Sequence, residues 1–322
     1  MILIQSTDLD TSTTEVIKWL IKYKVEFLRI NNNVNISNIQ YIDDSYIVNL
    51  TNNKNISVKN ISAYWYRRGE FKQFLHQDFN LNNQFMKDYK EHMFFEHEAV
   101  LRSFLSFLKK RVPCIGDSIS CIYVNKNIIL ETAKSFNINI PKYIITTEKK
   151  HVIEFIKKHK HVITKNINNS FNSETKKNWL LTYTEKIDSN IIGELPDHFQ
   201  TTLFQEEIIK KYEIRSFYLK GKFYSMAIFS QNDVQTQTDF RVYNDIKPNK
   251  RVPFKLPRDL EIKLDKFMKI LEFESGSLDL IYSIDNQFYF LEVNPIGQFG
   301  MVSYPCNYYL EKKIAQYLIN PT

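Results

Sequence analysis

Glycine is scarce in this chain. Seven of the 322 residues are glycine, whereas an average share of about 7% would give roughly 22. The seven form neither the spacing G-x-G-x-x-G nor G-x-x-x-x-G-K-[ST]. Rossmann and P-loop folds need glycine where the backbone approaches phosphate. The sequence therefore disfavours both folds, and a bound nucleotide would require another architecture.

Composition also narrows the class of protein. The three cysteines contain no C-x-x-C pair and the seven histidines no H-E-x-x-H motif, so we expect neither disulfides nor structural zinc. No apolar run approaches the ~18 residues of a membrane span. The net charge is +7, but acids are interleaved with the lysines. We expect a cytoplasmic protein with a basic surface that attracts an acidic small molecule or peptide, and neither a membrane nor a nucleic-acid partner.

Hydrophobic periodicity divides the chain into three parts. A strand, a helix opened by a Ser12-x-x-Glu15 capping box and a second strand are typical of an α/β lobe. A long helix over about 80–110 is followed by Pro113 and Gly116, after which the pattern restarts. Strands dominate the chain beyond about residue 200. We expect lobes over residues 1–116, 117–200 and 201–322, and we call these the N-terminal, central and C-terminal segments.

A hairpin near the end of the chain carries the clearest chemical pattern. Two alternating strands over 277–294 flank Asp285-Asn286, which suits a two-residue turn. Counting back from that turn places Asp279 directly opposite Glu292 on one face, and Asn294 lies two residues further along that face.

Directly opposed carboxylates repel each other, so an ordinary sheet avoids them. A divalent cation between them would reverse the sign of that interaction, and carboxylate and amide oxygens are ligands that Mg²⁺ accepts. The alternative is a surface hairpin with a solvated charged face. Periodicity leaves both open, because the register depends on the turn.

This hairpin resembles the metal-binding strands of the ATP-grasp enzymes, in the motifs Leu278-Asp279-Leu280 and Phe290-Leu-Glu292-Val-Asn294-Pro295. The resemblance implies that Asp279, Glu292 and Asn294 hold Mg²⁺ against the phosphates of ATP. It spans about 117–310. It also implies an α/β (α+β) ATP-grasp fold, with an N-terminal α/β pre-ATP-grasp lobe, a small central lobe and a C-terminal antiparallel-sheet lobe.

Other motifs resemble the nucleotide site of the same family. Asn125-Lys126 and Val162-Ile-Thr-Lys165 resemble its two lysine regions, and Phe204-Gln-Glu206-Glu207-Ile208 resembles the hinge that holds adenine. Glu213-Ile-Arg215 resembles the acidic-x-Arg motif, whose acid lies near ribose and whose arginine lies near phosphate or substrate. One departure is that residues 166–178, where many members carry a glycine-rich loop, contain no glycine.

Within that family the chain is most similar to the graspetide synthetases, particularly their grasp-with-spasm branch. The similarity rests on Tyr64-Trp-Tyr-Arg67-Arg68-Gly69, Asp239-Phe-Arg241-x-Tyr243, Gly297-Gln-Phe299 and the segment that begins at Cys306. It implies ATP and Mg²⁺ as cofactors, a precursor peptide with a leader and an acidic core as partner, and Arg215 and Arg241 as catalytic residues. It also suggests a radical SAM/SPASM maturase encoded nearby and a homodimer.

The implied reaction phosphorylates Asp or Glu side chains of the peptide and joins them to Thr or Ser hydroxyls, or to Lys. A ligase that joins a free amino acid to a small or terminal carboxylate is the alternative. A basic nucleic-acid-binding module is a remote alternative, because such a module needs basic residues clustered with aromatic residues, and the sequence shows no such cluster. The aromatic residues over 64–79 fit either a peptide-recognition surface or the core of the first lobe, with Trp65 assigned to the core.

Overall fold

The structure is a computed structural model, and it describes residues 1–71, 84–122, 124–168, 172–174, 179–181, 184–230 and 249–321. In these ranges no helix is long and apolar enough to cross a membrane. The helices are α1 (Thr11–Lys22), α2 (Gln84–Arg111), α3 (Ser118–Ile122), α4 (Lys126–Ser135), α5 (Lys149–His159), α6 (Ser189–Glu194), α7 (Arg258–Ile270), α8 (Gly300–Ser303) and α9 (Leu310–Ile319). The strands are β1 (Ile2–Gln5), β2 (Phe27–Ile30), β3 (Ile36–Ile42), β4 (Ser45–Leu50), β5 (Asn55–Ser57), β6 (Ala63–Tyr66), β7 (Cys114–Ile115), β8 (Tyr143–Glu148), β9 (Val162–Lys165), β10 (Asn172–Glu174), β11 (Trp179–Leu181), β12 (Glu185–Lys186), β13 (His198–Glu206), β14 (Lys210–Leu219), β15 (Lys222–Phe229), β16 (Lys250–Phe254), β17 (Ser275–Ser283) and β18 (Phe288–Asn294).

The N-terminal segment contains the predicted β-α-β unit. Its parallel sheet has the order β2-β1-β6-β7, and β3, β4 and β5 form a separate antiparallel sheet. The predicted capping box is wrong: Asp10 caps α1 by accepting a hydrogen bond from the Thr13 backbone N–H at 2.7 Å. Ser12 lies inside the helix and donates instead to Gln298 Oε1 at 2.6 Å. The cap therefore comes two residues earlier than predicted, and Ser12 is available to contact the C-terminal segment.

Aromatic residues of β6 form the core of the N-terminal segment. Tyr64, Trp65 and Tyr66 are at most 3% exposed, and Phe71 is 7% exposed. Tyr64 packs with the apolar faces of α2 and β4, whereas Trp65 faces α1 and α9. The alternation of a strand buried on both faces explains this division. The core interpretation of these aromatics is correct.

Sheet pairing links the central and C-terminal segments. The four-stranded antiparallel sheet β12-β9-β13-β8 includes β13, which begins before residue 200 and continues beyond it. The five-stranded antiparallel sheet has the order β16-β15-β14-β17-β18. The boundaries of the three lobes stay predictions.

The five-stranded sheet is buried on both faces along much of its length. One face packs against α4 and α7, with Leu278, Phe290 and Val293 in that core. The other packs against α1, α8 and α9, where Phe217 and Met226 are buried. Polar side chains continue that second face beyond Phe217, and they include the predicted site.

Candidate active site

The two carboxylates of the hairpin face each other as predicted. Asp279 of β17 lies opposite Glu292 of β18, and Ser277 lies opposite Asn294. Directly opposed residues share a face of the sheet, so Asp279 and Glu292 project to the same side. The pairing prediction is confirmed.

The prediction of a two-residue turn at Asp285-Asn286 is wrong. Ser283, rather than Ile284, pairs with Gln287, through a Ser283 N–H bond to the Gln287 carbonyl at 2.9 Å. The loop thus has three residues, and Asn286 adopts a left-handed conformation with φ of 61°, which asparagine tolerates better than most residues. A bulge then restores the expected pairing: Leu280 lies opposite Phe290 while Asp279 lies opposite Glu292, which leaves Leu291 as an extra residue on β18.

A row of charges crosses the sheet at the carboxylates. Arg215 of β14 pairs with Asp279, and its Nη1 lies 3.6 Å from Asp279 Oδ1. Lys126 Nζ lies 3.3 Å from Glu292 Oε2 beyond the edge strand. Arg215 is 8% exposed. The row therefore alternates in sign, from Arg215 through Asp279 and Glu292 to Lys126, which offsets the repulsion between the two acids.

The two lysine regions meet beside this row. Asn125 caps α4 through its side chain, which accepts from the Asn127 and Ile128 N–H groups, and so fixes Lys126 in the first turn. Lys126 Nζ also donates to the Asn166 carbonyl at 3.0 Å. Asn166 directly follows Lys165, the last residue of β9. Because the sites of both lysines come together at a strand end and a helix start, a nucleotide phosphate could be contacted from both.

Glu206 and Glu207, the acids of the predicted hinge, bind residues of the central segment. Glu206 Oε1 accepts from the Lys142 N–H at 2.7 Å, and its Oε2 lies 3.0 Å from His159 Nδ1. Glu207 Oε1 lies 2.7 Å from Lys186 Nζ. Ile208 follows as a half-buried residue without helix or strand structure. A contact between these side chains and adenine stays a prediction.

Glu213 lies on the same face of β14 as Arg215. It is 6% exposed and forms a buried ion pair with Lys210. Its predicted contact with ribose would therefore have to be shared with Lys210. Arg241, the second predicted catalytic arginine, lies outside the described residues.

The donors at the hairpin fit a magnesium ion. Two opposed carboxylates and the Asn294 amide oxygen supply only oxygen ligands, which this hard cation prefers. Asn294 Oδ1 accepts from the Ile296 N–H at 3.1 Å, which fixes the orientation of its amide. The described ranges contain no group of three or more His, Cys, Asp or Glu residues placed to bind a metal.

The sequence interpretation missed a contact from the N-terminal segment. Arg67 Nη1 donates to the Ile296 carbonyl and, at 3.2 Å, to the Gly297 carbonyl, in the loop after Asn294. Arg67 Nε lies 3.3 Å from Asp10 Oδ2, and both side chains are at most 4% exposed. Burial lowers the pKa of Arg67 to about 10, although Asp10 opposes this shift, so the guanidinium remains charged at neutral pH.

Gly297 explains why this loop lies so close to the sheet. A Cβ atom at residue 297 would lie 2.6 Å from Cβ and Oγ of Ser277, a separation that requires the backbone to move. The signal that could have identified the contact was an arginine directly after a fully apolar strand, because buried arginines require fixed acceptors.

Comparison with known proteins supports the same architecture. No family model and no curated protein matches the chain. The RiPP-associated ATP-grasp ligase of Chryseobacterium gregarium, solved with ADP and a leader and core peptide, is 23% identical over 100% of this chain and 97% of that chain, with a TM-score of 0.82. The macrocyclase MdnC of Microcystis aeruginosa, bound with precursor peptide MdnA, is 22% identical over 99% of this chain and 100% of its own, with a TM-score of 0.76.

A third solved structure is more distant in sequence. The ATP-grasp ligase PsnB, complexed with minimal precursor, Mg and ADP, is 12% identical over 99% of this chain and 96% of that chain, with a TM-score of 0.70. At these identities the likeness concerns the fold. The chain therefore has the fold of the ATP-grasp ligases, and the charged row lies within that fold.

Proposed function

We propose that this protein is an ATP-dependent ligase that joins carboxylate side chains of a precursor peptide to hydroxyl or amine groups of the same peptide. The observation that carries the proposal is the row from Arg215 through Asp279 and Glu292 to Lys126. Solved proteins of the same fold were obtained with ADP, Mg and precursor peptides, which supports a nucleotide and a peptide at the corresponding place.

In this proposal the chain's residues mainly position groups and stabilise charge. Lys126 and Lys165 bind the ATP phosphates, Glu206, Glu207 and Ile208 line the adenine site, and Glu213 lies near ribose. Asp279, Glu292 and Asn294 would hold Mg²⁺, which supplies positive charge against the phosphates.

The reaction has two group transfers. A carboxylate oxygen of the peptide attacks the γ-phosphorus, so ADP leaves and an acyl phosphate forms. A hydroxyl or amine then attacks the acyl carbon and phosphate leaves, giving an ester or an amide with the loss of one proton from the nucleophile. Arg215 stabilises the negative charge that develops in both steps, and we propose the same role for Arg241.

The test is ATP turnover with and without peptide. A leader-bearing acidic peptide should raise ADP formation well above that with amino acids alone, and each new bond should lower the peptide mass by one water. Glutamate and a free amine that give steady ADP formation, together with an unmodified peptide, would instead identify a ligase of small molecules.

We also propose a homodimer formed through the first half of α2. Phe85, Phe94 and Phe95 are 58–70% exposed there, so apolar surface is left without a described partner. An isologous contact between two copies would bury this surface on both of them. Sedimentation of the wild type and of Phe94→Glu tests this, since the variant should be monomeric.

Two further parts of the proposal concern the cellular setting. Three buried free cysteines, Cys114, Cys121 and Cys306, support a reducing compartment such as the cytoplasm. A radical SAM/SPASM maturase encoded nearby would act on the same precursor, a proposal that rests on the sequence resemblance alone. The genes next to this one test it directly.

A further inference from the structure

A cavity lies between the N-terminal and C-terminal segments. Its volume is about 510 Å³, within the range of small-ligand sites. The wall includes one turn of α1, a residue of β16, the loop after β18 and the start of α9, represented by Thr11, Ser12, Glu15, Arg251, Gln298 and Glu311. The sequence predicted a helix cap at Ser12 and Glu15 but no catalytic or binding role for any of these residues.

This cavity adjoins the charged row. Ser12 Oγ donates to Gln298 Oε1 at 2.6 Å, and Ser277 Oγ donates to the Gln298 carbonyl at 3.4 Å. Ser277 lies two residues from Asp279 on the same strand and face, a separation of about 7 Å. A peptide with one side chain in the cavity could therefore place a neighbouring residue at the candidate active site.

Glu311 is the unusual member of the wall. It is 6% exposed, and its Oε2 accepts from Ser303 Oγ at 2.7 Å. Its Oε1 is buried and has no hydrogen-bond partner in the part of the chain that the structure describes. Leaving a charged acceptor without a donor is costly in a buried position. A donor brought in by a ligand would remove this cost once a rotation of the Glu311 carboxylate exposes Oε1 to the cavity.

The neighbouring charges favour a cationic donor. Lys18 Nζ already lies 2.6 Å from Glu15 Oε1, and Asp10 already caps the first turn of α1. Arg251 is engaged in an interaction of its own. Tyr304 lines the same cavity as Glu15 and Glu311, and burial, followed by the charges of Glu311 and Glu15, raises its pKa. The acceptor whose requirement is unmet is therefore the Glu311 carboxylate.

We propose that this cavity binds a primary ammonium group, presented by a lysine side chain of the peptide substrate, with Glu311 as its counter-charge. The identity of the ligand as a peptide rests on the proposed function, whereas binding of the ammonium group requires neither ATP nor turnover. A failure of the subsite and a failure of the ligase activity are therefore separable.

Binding of N-acetyl-lysine methylamide, followed by NMR of the full chain without nucleotide, tests the proposal. Glu311→Gln should weaken binding at least about tenfold, the scale expected for a lost charged hydrogen bond, while the glutamine can still accept from Ser303. Glu261→Gln is the matched control, because Glu261 is 5% exposed in the first turn of α7 but lies outside the cavity wall. Its binding should equal that of the wild type.

A second variant keeps the test decisive if Glu311→Gln is unstable. Thr11 is exposed in the cavity wall, so Thr11→Lys should place an ammonium group in the cavity and exclude the ligand without disturbing the core. Equal binding of the capped norleucine analogue, tighter binding of capped glutamate, or unchanged binding to both variants would overturn the proposal.

Pentylamine separates the two sources of an ammonium group. Tighter binding of capped lysine than of pentylamine supports a peptide side chain as the ligand. Tighter binding of pentylamine would overturn the assignment to a peptide and identify a site for small amines, whatever the peptide does to ATP turnover.

Discussion

The buried ion pair between Asp10 and Arg67 makes the sharpest prediction about stability. The change is Arg67→Met, which keeps an unbranched apolar stem and removes the charged guanidinium group. Asp10 is fully buried, and its Oδ2 lies 3.3 Å from both Arg67 Nε and Arg68 Nε. The variant removes the buried partner of Asp10 and leaves only Arg68, which is 41% exposed, so we expect a cost toward the lower end of the about 3–5 kcal/mol of a broken buried ion pair. The Ile296 and Gly297 carbonyls lose their donor as well, at about 1–3 kcal/mol for each acceptor left unsatisfied.

These terms share one side chain and do not simply add. We expect Arg67→Met to lower the free energy of unfolding by at least about 3 kcal/mol. Asp10→Asn keeps a good helix cap, so the double variant Asp10→Asn/Arg67→Met should recover about 1 kcal/mol or more of that loss. Urea denaturation followed by circular dichroism and by tryptophan fluorescence measures both.

A surface arginine provides the control. Arg258 pairs with Glu261 at 3.7 Å but is 83% exposed, so Arg258→Met should cost no more than about 1 kcal/mol. Equal costs for the two single arginine variants would refute the reasoning. So would a double variant as unstable as the sum of its parts, because it would show that Asp10 and Arg67 do not depend on each other.

Three further results are expected. Glu292→Gln should keep the melting temperature and lower peptide-dependent ADP formation at least about tenfold, because it removes charge that offsets the phosphates; an unchanged rate would contradict the site. Lys126→Met should raise the dissociation constant of ATP about tenfold, as measured by calorimetry, and unchanged affinity would return Lys126 to a structural role. Burial alone would raise the pKa of Asp117, but hydrogen bonds from Ser120 and Lys109 more than offset this and lower it. Its stabilising effect should be present above the ordinary aspartate pKa and lost as the pH falls through the lowered value, so the melting temperatures of wild type and Asp117→Asn should differ at pH 7 and converge below about pH 4.

Local patterns predicted the site better than the turn that leads to it. Alternation in β17 and β18 placed Asp279 and Glu292 on the polar face of the hairpin, because side chains in strands repeat every two residues, but their direct opposition followed only from the assumed turn. The same rule could not reveal that Asn286 adopts a left-handed conformation or that Leu291 bulges. The two departures compensate, so the pairing was correct although the proposed turn was wrong.

Contacts between distant segments could not be derived from the sequence. Arg67 and Ile296 are 229 residues apart, and no periodicity relates them. The cavity at Glu311 likewise depends on α1, β16 and α9 meeting in space. In contrast, the strand β1, the helix α1 and the long helix α2 follow from local periodicity, and their observed bounds lie close to those expected.

The bulge at Leu291 makes the length of β18 as important as its composition. Because of the extra residue, Phe290 and Val293 both point into the core against α7, although they are an odd number of positions apart. Deleting Leu291 would remove the extra residue and leave regular alternation, with Glu292 still opposite Asp279 and Val293 still facing that core. Deleting Val293 instead would turn Asn294 toward the core. Homologous chains should therefore tolerate the loss of the residue at position 291 more readily than the loss of Val293, and an alignment that shifts the gap by one position would assign the wrong residue to the face of the charged row.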